Sequence, residues 1–124
     1  MRRSILLLAC VFLLLCSWHS PTGVSLRFKN ETSQDFVKLT IHIVNKEYNF
    51  GPLKKGEKTK PIKVEKCYRY CYAIAITPTD TMVCQPIDYV GEKLQTEGKL
   101  MMKLQEFNNV EYKPGEKIWL HIEN

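Results

Sequence analysis

Hydrophobic and polar residues alternate through most of the chain from Val24 onward. A first alternating run begins at Val24, and the most regular one runs from Val37 to Ile43. A period of two places every second side chain on one face of an extended segment, which is typical of half-buried β-strands. Asn45-Lys46 follows the regular run and is predicted to form a tight turn into the next strand.

The segment from Thr59 to Thr77 continues the same alternation and is predicted to be mostly strand. From Tyr68 onward its even positions are tyrosine and isoleucine, whereas its odd positions are mainly cysteine and alanine. Pro61 has no N–H group to donate to a neighbouring strand, so this end is expected to be an edge or a strand start. A turn at residues 77–80 and a strand through Cys84 are predicted to follow.

Two further alternating runs lie near the C-terminus, and their even positions are predicted to face the core. The residues predicted to be buried in these runs and in the regular run are Leu100, Met102, Leu104, Ile118, Leu120, Ile122, Val37, Leu39, Ile41 and Ile43. Helical spacing is nearly absent, the one weak exception being a single turn over residues 88–94.

Seven or eight short strands separated by glycine and proline turns predict an all-β domain. We expect a small antiparallel two-sheet β-sandwich of immunoglobulin-like or transthyretin-like size, with a small β-barrel as the alternative. The length of 124 residues is suitable for one domain, which we place at residues 24–124.

Residues 1–20 have the pattern of a signal peptide. Arg2 and Arg3 precede an apolar run from Ile5 to Leu15, which is shorter than a membrane-spanning helix requires. Cleavage is expected somewhere between residues 16 and 23, and an uncleaved anchor is the alternative. The protein is therefore predicted to be exported, either to the periplasm or to the outside of the cell.

Cys16 offers a second form of membrane attachment, because bacterial lipoproteins are cleaved just before a cysteine that then carries the lipid. Leu15 disfavours this interpretation, since the lipoprotein peptidase prefers a small residue at that position. Release as a soluble protein and anchoring through a lipidated Cys16 both remain open.

Some features of the chain invite a family comparison: a leader rich in leucine and cysteine, an early alternating strand, and a charged turn centred on Gly56. The segment Tyr68-Arg69-Tyr70 and the loop from Gln85 to Glu92 complete the set. With these features the chain resembles small uncharacterised exported proteins, secreted or lipid-anchored, of Bacteroidetes-type bacteria. The resemblance implies a β-sandwich protein of the cell envelope and implies no activity and no site residue.

The net charge of +5 falls to +3 without Arg2 and Arg3, leaving sixteen basic and thirteen acidic residues. This balance is a weak signal for a polyanionic partner, so nucleic acid is not favoured. The sequence contains no Gly-x-Ser-x-Gly motif and no phosphate-binding glycine loop, and it predicts no cofactor. Asn30-Glu31-Thr32 matches a glycosylation sequon, a short pattern that frequently arises by chance.

Three cysteines follow the leader: Cys67, Cys71 and Cys84. In one extended strand Cys67 and Cys71 would lie roughly 13 Å apart, too far for a disulfide. A two-residue turn at Pro78-Thr79 would place Cys84 opposite Ala73 and diagonal to Cys71. Buried free thiols, a Cys71–Cys84 disulfide, and a metal site completed by His42 or His121 all remain open.

A stripe of aromatic side chains with one arginine supplies the candidate binding surface: Tyr68, Arg69, Tyr70 and Tyr72. Such residues form stacking surfaces in some binding proteins, although aromatic residues at a period of two also serve sheet packing.

We therefore expect a non-enzymatic envelope protein that binds a protein, a glycan or a surface through a sheet face or its end loops. Two alternatives stay open. One is a small metal-binding protein or enzyme that uses Cys67, Cys71 and Cys84, and the other is a purely structural envelope component.

Overall fold

The computed structural model describes residues 23–86, 88–106 and 118–123. The leader with Cys16 and the turn near Pro114 lie outside these residues, as do the side chains of Ile118, Leu120 and His121. The described part is all-β and contains no helix, hence none that is long and apolar enough to cross a membrane. Its strands are β1 (Gly23–Asn30), β2 (Lys38–Ile43), β3 (Lys46–Phe50), β4 (Ile62–Val64), β5 (Tyr72–Ile76), β6 (Thr81–Cys84), β7 (Glu97–Glu106) and β8 (Ile118–Glu123).

The strands form a small β-sandwich in the order β3-β2-β5-β6-β8-β7-β1-β4. One sheet contains β2, β3, β5 and β6, and the other contains β1, β4 and β7. The last strand, β8, joins them, because its first residues pair with β6 and its later residues pair with β7. β3 and β4 stand at the two ends of the order, so the strands do not close into the barrel that was the alternative.

Two strand pairs depart from the purely antiparallel prediction, since β1 pairs with β7 and β6 pairs with β8 in parallel. Parallel neighbours cannot be joined by a hairpin, and both pairs unite strands that are distant in the chain. The remaining neighbouring pairs among the described strands are antiparallel.

The predicted core positions are buried in most of the cases that the structure describes. Leu39, Ile41, Ile43, Met102, Leu104 and Ile122 are buried. Leu100 is half-buried, and the prediction for Val37 was wrong because its side chain is 51% exposed. The chain bends at Val37, and the preceding residue, Phe36, occupies the core instead through a backbone bridge to Leu53.

The predicted strand over residues 59–77 is interrupted. β4 ends at Val64 in one sheet, β5 begins at Tyr72 in the other, and the chain crosses between them. In β5 the small residues Ala73 and Ala75 face the core beside the larger Ile41 and Leu39 of β2. The isoleucines of β5 are therefore on the outer, more exposed face.

Two turns bear directly on the sequence predictions. The register of β5 and β6 pairs Ile76 with Thr81 and Ala73 with Cys84, which confirms the predicted hairpin around Pro78-Thr79. The turn between β2 and β3 lies one residue earlier than predicted, because Ile43 pairs with Lys46 and leaves Val44 and Asn45 as the loop. Val44 has a φ of 55°, an unusual value for a β-branched residue.

Asn30 is fully buried and makes a complete set of hydrogen bonds. Its Nδ2 donates to the carbonyl oxygens of Gln34 at 2.8 Å and Leu53 at 3.1 Å. Its Oδ1 accepts from the Thr32 N–H at 3.0 Å and the Thr32 hydroxyl at 2.7 Å. In the folded domain both amide hydrogens are engaged and shielded from solvent, so the sequon residue has a structural role in closing this loop.

Candidate functional site

Three tyrosines from two loops form an aromatic cluster at the surface. Tyr68 and Tyr70 lie between β4 and β5, and Tyr89 lies between β6 and β7. The rings of Tyr68 and Tyr89 are stacked with centroids 4.4 Å apart and planes inclined by 18°. Those of Tyr70 and Tyr89 are stacked at 5.2 Å and 12°. We call these residues the tyrosine cluster, and each of them is partly exposed.

Backbone contacts fix the two loops against each other. The Cys67 N–H donates to the Gln95 carbonyl at 3.0 Å, and the Gln95 N–H donates back to the Cys67 carbonyl at 2.7 Å. The Tyr70 hydroxyl donates to the Asp88 carbonyl oxygen at 3.0 Å. Two backbone hydrogen bonds between Cys67 and Gln95 therefore hold the loops together on one side of the tyrosine cluster. On the other side they are held by the hydrogen bond from the Tyr70 hydroxyl to Asp88.

A compact turn presents Tyr89 to its partners. The Asp88 carboxylate accepts a hydrogen bond from the Val90 N–H at 3.1 Å, and the Glu92 N–H donates to the Tyr89 carbonyl at 3.1 Å. Gly91 has a φ of +80°, a value that glycine adopts without strain. The tip of the turn is Val90, whose side chain is 87% exposed. The predicted helical turn over residues 88–94 was wrong, because residues 89–92 form a β-turn and no helix follows it.

The electrostatic surroundings keep these phenols protonated. Partial burial raises the pKa of Tyr70, and the nearby carboxylates of Glu92 and Asp88 act in the same direction. Burial also raises the pKa of Tyr89, with contributions from Cys71 and Tyr70. Tyr70 and Tyr89 are thus neutral hydroxyls at physiological pH, able to donate and to accept hydrogen bonds.

The structure brings together only part of the predicted tyrosine stripe. Tyr68 and Tyr70 meet through Tyr89, and the exposed Arg69 lies between them in the chain. Tyr72 belongs to β5, where its ring packs edge-on against His42 with centroids 5.2 Å apart. The interpretation of one continuous face was wrong, because the segment around Arg69 is not part of a strand.

Tyr89 is the site residue that the sequence did not indicate. It is separated from its partners by the whole of the β5–β6 hairpin, so no local periodicity connects them. The available signal was an aromatic residue beside a glycine in a predicted loop, a common combination.

The three described cysteines are free thiols. Cys67 and Cys71 are buried, whereas Cys84 is partly exposed and lies opposite Ala73, as the hairpin register predicted. Cys67 and Cys71 do not share a strand, so the distance derived for an extended segment does not apply to them. The Sγ of Cys71, in the segment that precedes β5, lies 3.7 Å from the Sδ of Met102 in β7.

Burial governs the acidity of these thiols. It raises the pKa of Cys84 to about 11 and also raises the pKa of Cys67. The pKa of Cys71 is raised strongly by burial and further by the nearby Cys84 and Cys67. All three are therefore protonated at neutral pH, and a protonated thiol is a poor nucleophile.

The metal site considered from the sequence, in which His42 or His121 joins the cysteines, receives no support from the described residues. Among residues 23–86, 88–106 and 118–123, no group of three or more His, Cys, Asp or Glu side chains is arranged to hold a metal ion. His42 contacts Tyr72 and lies 3.7 Å from a carboxylate oxygen of Glu47.

A separate open pocket of about 290 Å³ lies between the β2–β3 turn and the end of β4. Val44 and Tyr48 line one side, and Lys63 and Glu65 line the other. None of the residues predicted to form a site contributes to its lining.

Comparisons with known proteins define the fold and leave the function open. No family model matches the chain, and no curated protein matches it. A solved structure that resembles it is the NMR structure of a protein from Eubacterium rectale, with a TM-score of 0.56 and 10% sequence identity. The similarity covers 81% of this chain and 87% of that one. At this identity the likeness concerns the fold alone.

Proposed function

We propose that the chain is an exported, non-enzymatic module of the cell envelope that binds a protein partner through the tyrosine cluster. The observation that carries the proposal is the stacking of Tyr68 and Tyr70 on Tyr89, which fixes partly exposed rings on two end loops. The leader at residues 1–20 supports export, and lipid attachment at Cys16 is the accompanying proposal for membrane anchoring.

The composition of the surface favours a protein partner. Tyrosine and arginine are enriched in protein interfaces and among the residues that contribute most to affinity. Arg69 and Val90 are exposed beside the rings, and the carboxylates of Asp88 and Glu92 supply hydrogen-bond acceptors.

The rigidity of the cluster also favours binding. Side chains that are already ordered lose little conformational entropy when a partner docks, and each flexible side chain that must be immobilised costs about 0.5–1.5 kcal/mol. Mutual stacking and the hydrogen bond from Tyr70 to Asp88 order the rings in advance. The tyrosine cluster thus combines contact area with a low ordering cost.

A photo-crosslinking experiment tests the proposal. A benzophenone amino acid replaces Val90 at the tip beside the cluster, or Val44 at the β2–β3 turn as the matched control, since both valines are exposed. After irradiation of cells that produce the full chain, the Val90 position should capture a discrete protein, and the Val44 position should not.

Tyr68→Ala and Tyr70→Ala should each reduce the capture at position 90 by at least tenfold, which corresponds to about 1.4 kcal/mol. Equal capture at the two positions, or capture that survives both substitutions, would contradict the proposal. Retention of the purified chain on immobilised cell-surface glycans, lost in Tyr68→Ala, would instead assign the cluster to a glycan.

A further inference from the structure

The open pocket between the β2–β3 turn and the end of β4 carries an excess of positive charge. Lys46, Lys63 and Lys66 line it, and Glu65 is the acidic residue among its described lining residues. The three lysines are exposed, and none of them forms an ion pair with a described residue. The carboxylate of Glu47, next in the chain to Lys46, is already engaged by His42 and Asn49. Three positive charges therefore share this pocket with one negative charge.

An exposed apolar side chain lies at the rim of the same pocket. Val44 is 55% exposed, and its φ of 55° is rare for a β-branched residue. It occupies the first of the two loop positions between Ile43 and Lys46, where a type II′ hairpin usually has glycine. Strained backbone of this kind is found most often at functional sites. Because so much of the Val44 side chain is exposed, we look for its role in a contact outside the molecule.

The pocket lies at the end of the domain to which the leader is attached. Val24 pairs with Val64 of β4, and a Cβ atom on Gly23 would lie 2.8 Å from the Val64 carbonyl oxygen and 3.3 Å from the Cε of Lys63. Seven residues separate Cys16 from Gly23, and a chain of this length spans at most about 25 Å. A lipid anchor at Cys16 would therefore keep the pocket close to the bilayer.

Lysines around an apolar tip match the chemistry of an anionic bilayer. Lysine side chains near the membrane are attracted by the negative potential of anionic lipids, and tyrosine, present here as Tyr48, is enriched at membrane interfaces. An acidic protein would match the charge equally well, but it would leave both the exposed Val44 and the position of the leader without a role.

We propose that Lys46, Lys63, Lys66 and Val44 form a surface that binds the headgroups of anionic phospholipids. We call these four residues the lysine surface. The inference rests on the export and anchoring proposed above, and it adds the side of the domain that faces the membrane.

The test is flotation of the purified full chain with two kinds of vesicle, one of phosphatidylcholine alone and one of equal parts of phosphatidylcholine and phosphatidylglycerol. Cys16→Ser is introduced in every sample so that no lipid is attached. The leader is common to all variants, so the ratio of the two partition coefficients compares their charge-dependent binding. We expect a strong preference for the anionic vesicles that declines as salt is added, because salt screens exposed charges.

Neutralising the lysines should abolish most of this preference. The triple variant Lys46→Gln, Lys63→Gln and Lys66→Gln should lower the ratio of partition coefficients by at least about tenfold, since each basic residue near an anionic surface contributes roughly a fivefold gain in affinity.

A second triple variant provides the matched control, because it changes the net charge by the same amount at the other end of β1. It combines Lys54→Gln, Lys55→Gln and Lys58→Gln, three exposed lysines of the charged turn. This turn contacts Asn30 through the Gly56 N–H, and Asn30 is seven residues along β1 from Gly23, or about 23 Å. The control should leave the ratio nearly unchanged.

Val44→Gly tests the apolar tip without endangering the fold, because glycine adopts a positive φ freely. It should weaken binding to both kinds of vesicle by about threefold or more, since a partly inserted valine side chain is lost, and the loss should persist at high salt. Val37→Ser is the control, because Val37 is also exposed but lies beyond the opposite end of β2.

Equal partition into both kinds of vesicle, or an equal loss of preference in the two triple variants, would overturn the proposal. Capture of an acidic protein at position 44 without any preference for anionic vesicles would assign the lysine surface to a protein instead. Vesicle binding is measured with purified components, so its failure would leave the capture of a partner at position 90 unaffected.

Discussion

Two loop regions of this domain are held in place by different kinds of interaction. Around Asn30, a buried amide donates two hydrogen bonds and accepts two, and so ties residues 30–36 to the chain near Leu53. Around Tyr89, stacked rings and a backbone bridge between Cys67 and Gln95 unite two loops.

The difference shows which region keeps side-chain groups that can still interact with other molecules after folding. The amide of Asn30 uses its whole hydrogen-bonding capacity inside the protein, so folding accounts for it completely. The tyrosine cluster keeps partly exposed rings, and protonated thiols lie behind it. Partly exposed rings of this kind remain available to a partner after folding.

The largest effect is expected from Asn30→Ala, which should lower the free energy of unfolding by about 3 kcal/mol. The substitution removes one of the two donors from each of the carbonyl groups of Gln34 and Leu53, and it leaves the N–H of Thr32 without its acceptor on Asn30. Urea unfolding followed by circular dichroism measures the loss.

Asn49→Ala is the control, because Asn49 is exposed on β3 and its hydrogen bonds are on the surface. It should change stability by less than about 0.5 kcal/mol. Similar losses for Asn30→Ala and Asn49→Ala would refute the structural role assigned to the buried amide.

A smaller effect, about 1–3 kcal/mol, is expected from Tyr89→Ala, because stacked aromatic pairs contribute about 0.5–1.5 kcal/mol each. The loss should be local. Hydrogen exchange at the amides of Cys67 and Gln95 should accelerate, while exchange at Leu39 in the core should change little. Tyr89→Phe keeps the ring and serves as the control. Uniform acceleration across the domain would show that the cluster is part of the global folding unit.

The raised pKa values are expected to have the smallest effect on the free energy of unfolding at neutral pH. Their effect should be larger in alkali. The pKa of Cys84 is about 11 in the folded domain against an ordinary value of 9.0, so the unfolded chain loses this proton first. Stability is therefore fully present below pH 9 and declines as the pH rises toward 11, with Cys71, Tyr70 and Tyr89 acting in the same direction.

Urea midpoints measured across this range should decline, and Cys84→Ser should reduce the slope. The opposite trend, with a higher midpoint in alkali, would mean that the thiols and phenols are not protonated in the folded state.

Periodicity was sufficient to predict the class of fold and a good part of its core. The alternation in β2 and β7 identified buried residues such as Leu39 and Met102, and turn composition predicted the register that places Cys84 opposite Ala73. These features are local, because they depend on which face a side chain takes within one strand or one hairpin.

Features that depend on contacts between distant parts of the chain could not be predicted from local periodicity. Alternation continues through residues 65–71, although the chain is crossing between sheets there. The stacking of Tyr89 on Tyr68 and Tyr70 and the contact of Cys71 with Met102 join segments that share no pattern. Prediction therefore found two of the three residues of the tyrosine cluster and missed the contact between Cys71 and Met102.

The position of β8 between β6 and β7 has a consequence for biosynthesis. Until residues 118–123 emerge from the ribosome, β6 and β7 each lack the neighbour that satisfies one edge, and unpaired strand edges invite pairing between molecules. The parallel pairing of β1 with β7 adds a second late event, because the first strand must wait for residues 97–106. Nascent chains of this fold therefore expose the edges of β6 and β7 until β8 is synthesised, and a chaperone that covers these edges would prevent pairing between molecules in that interval.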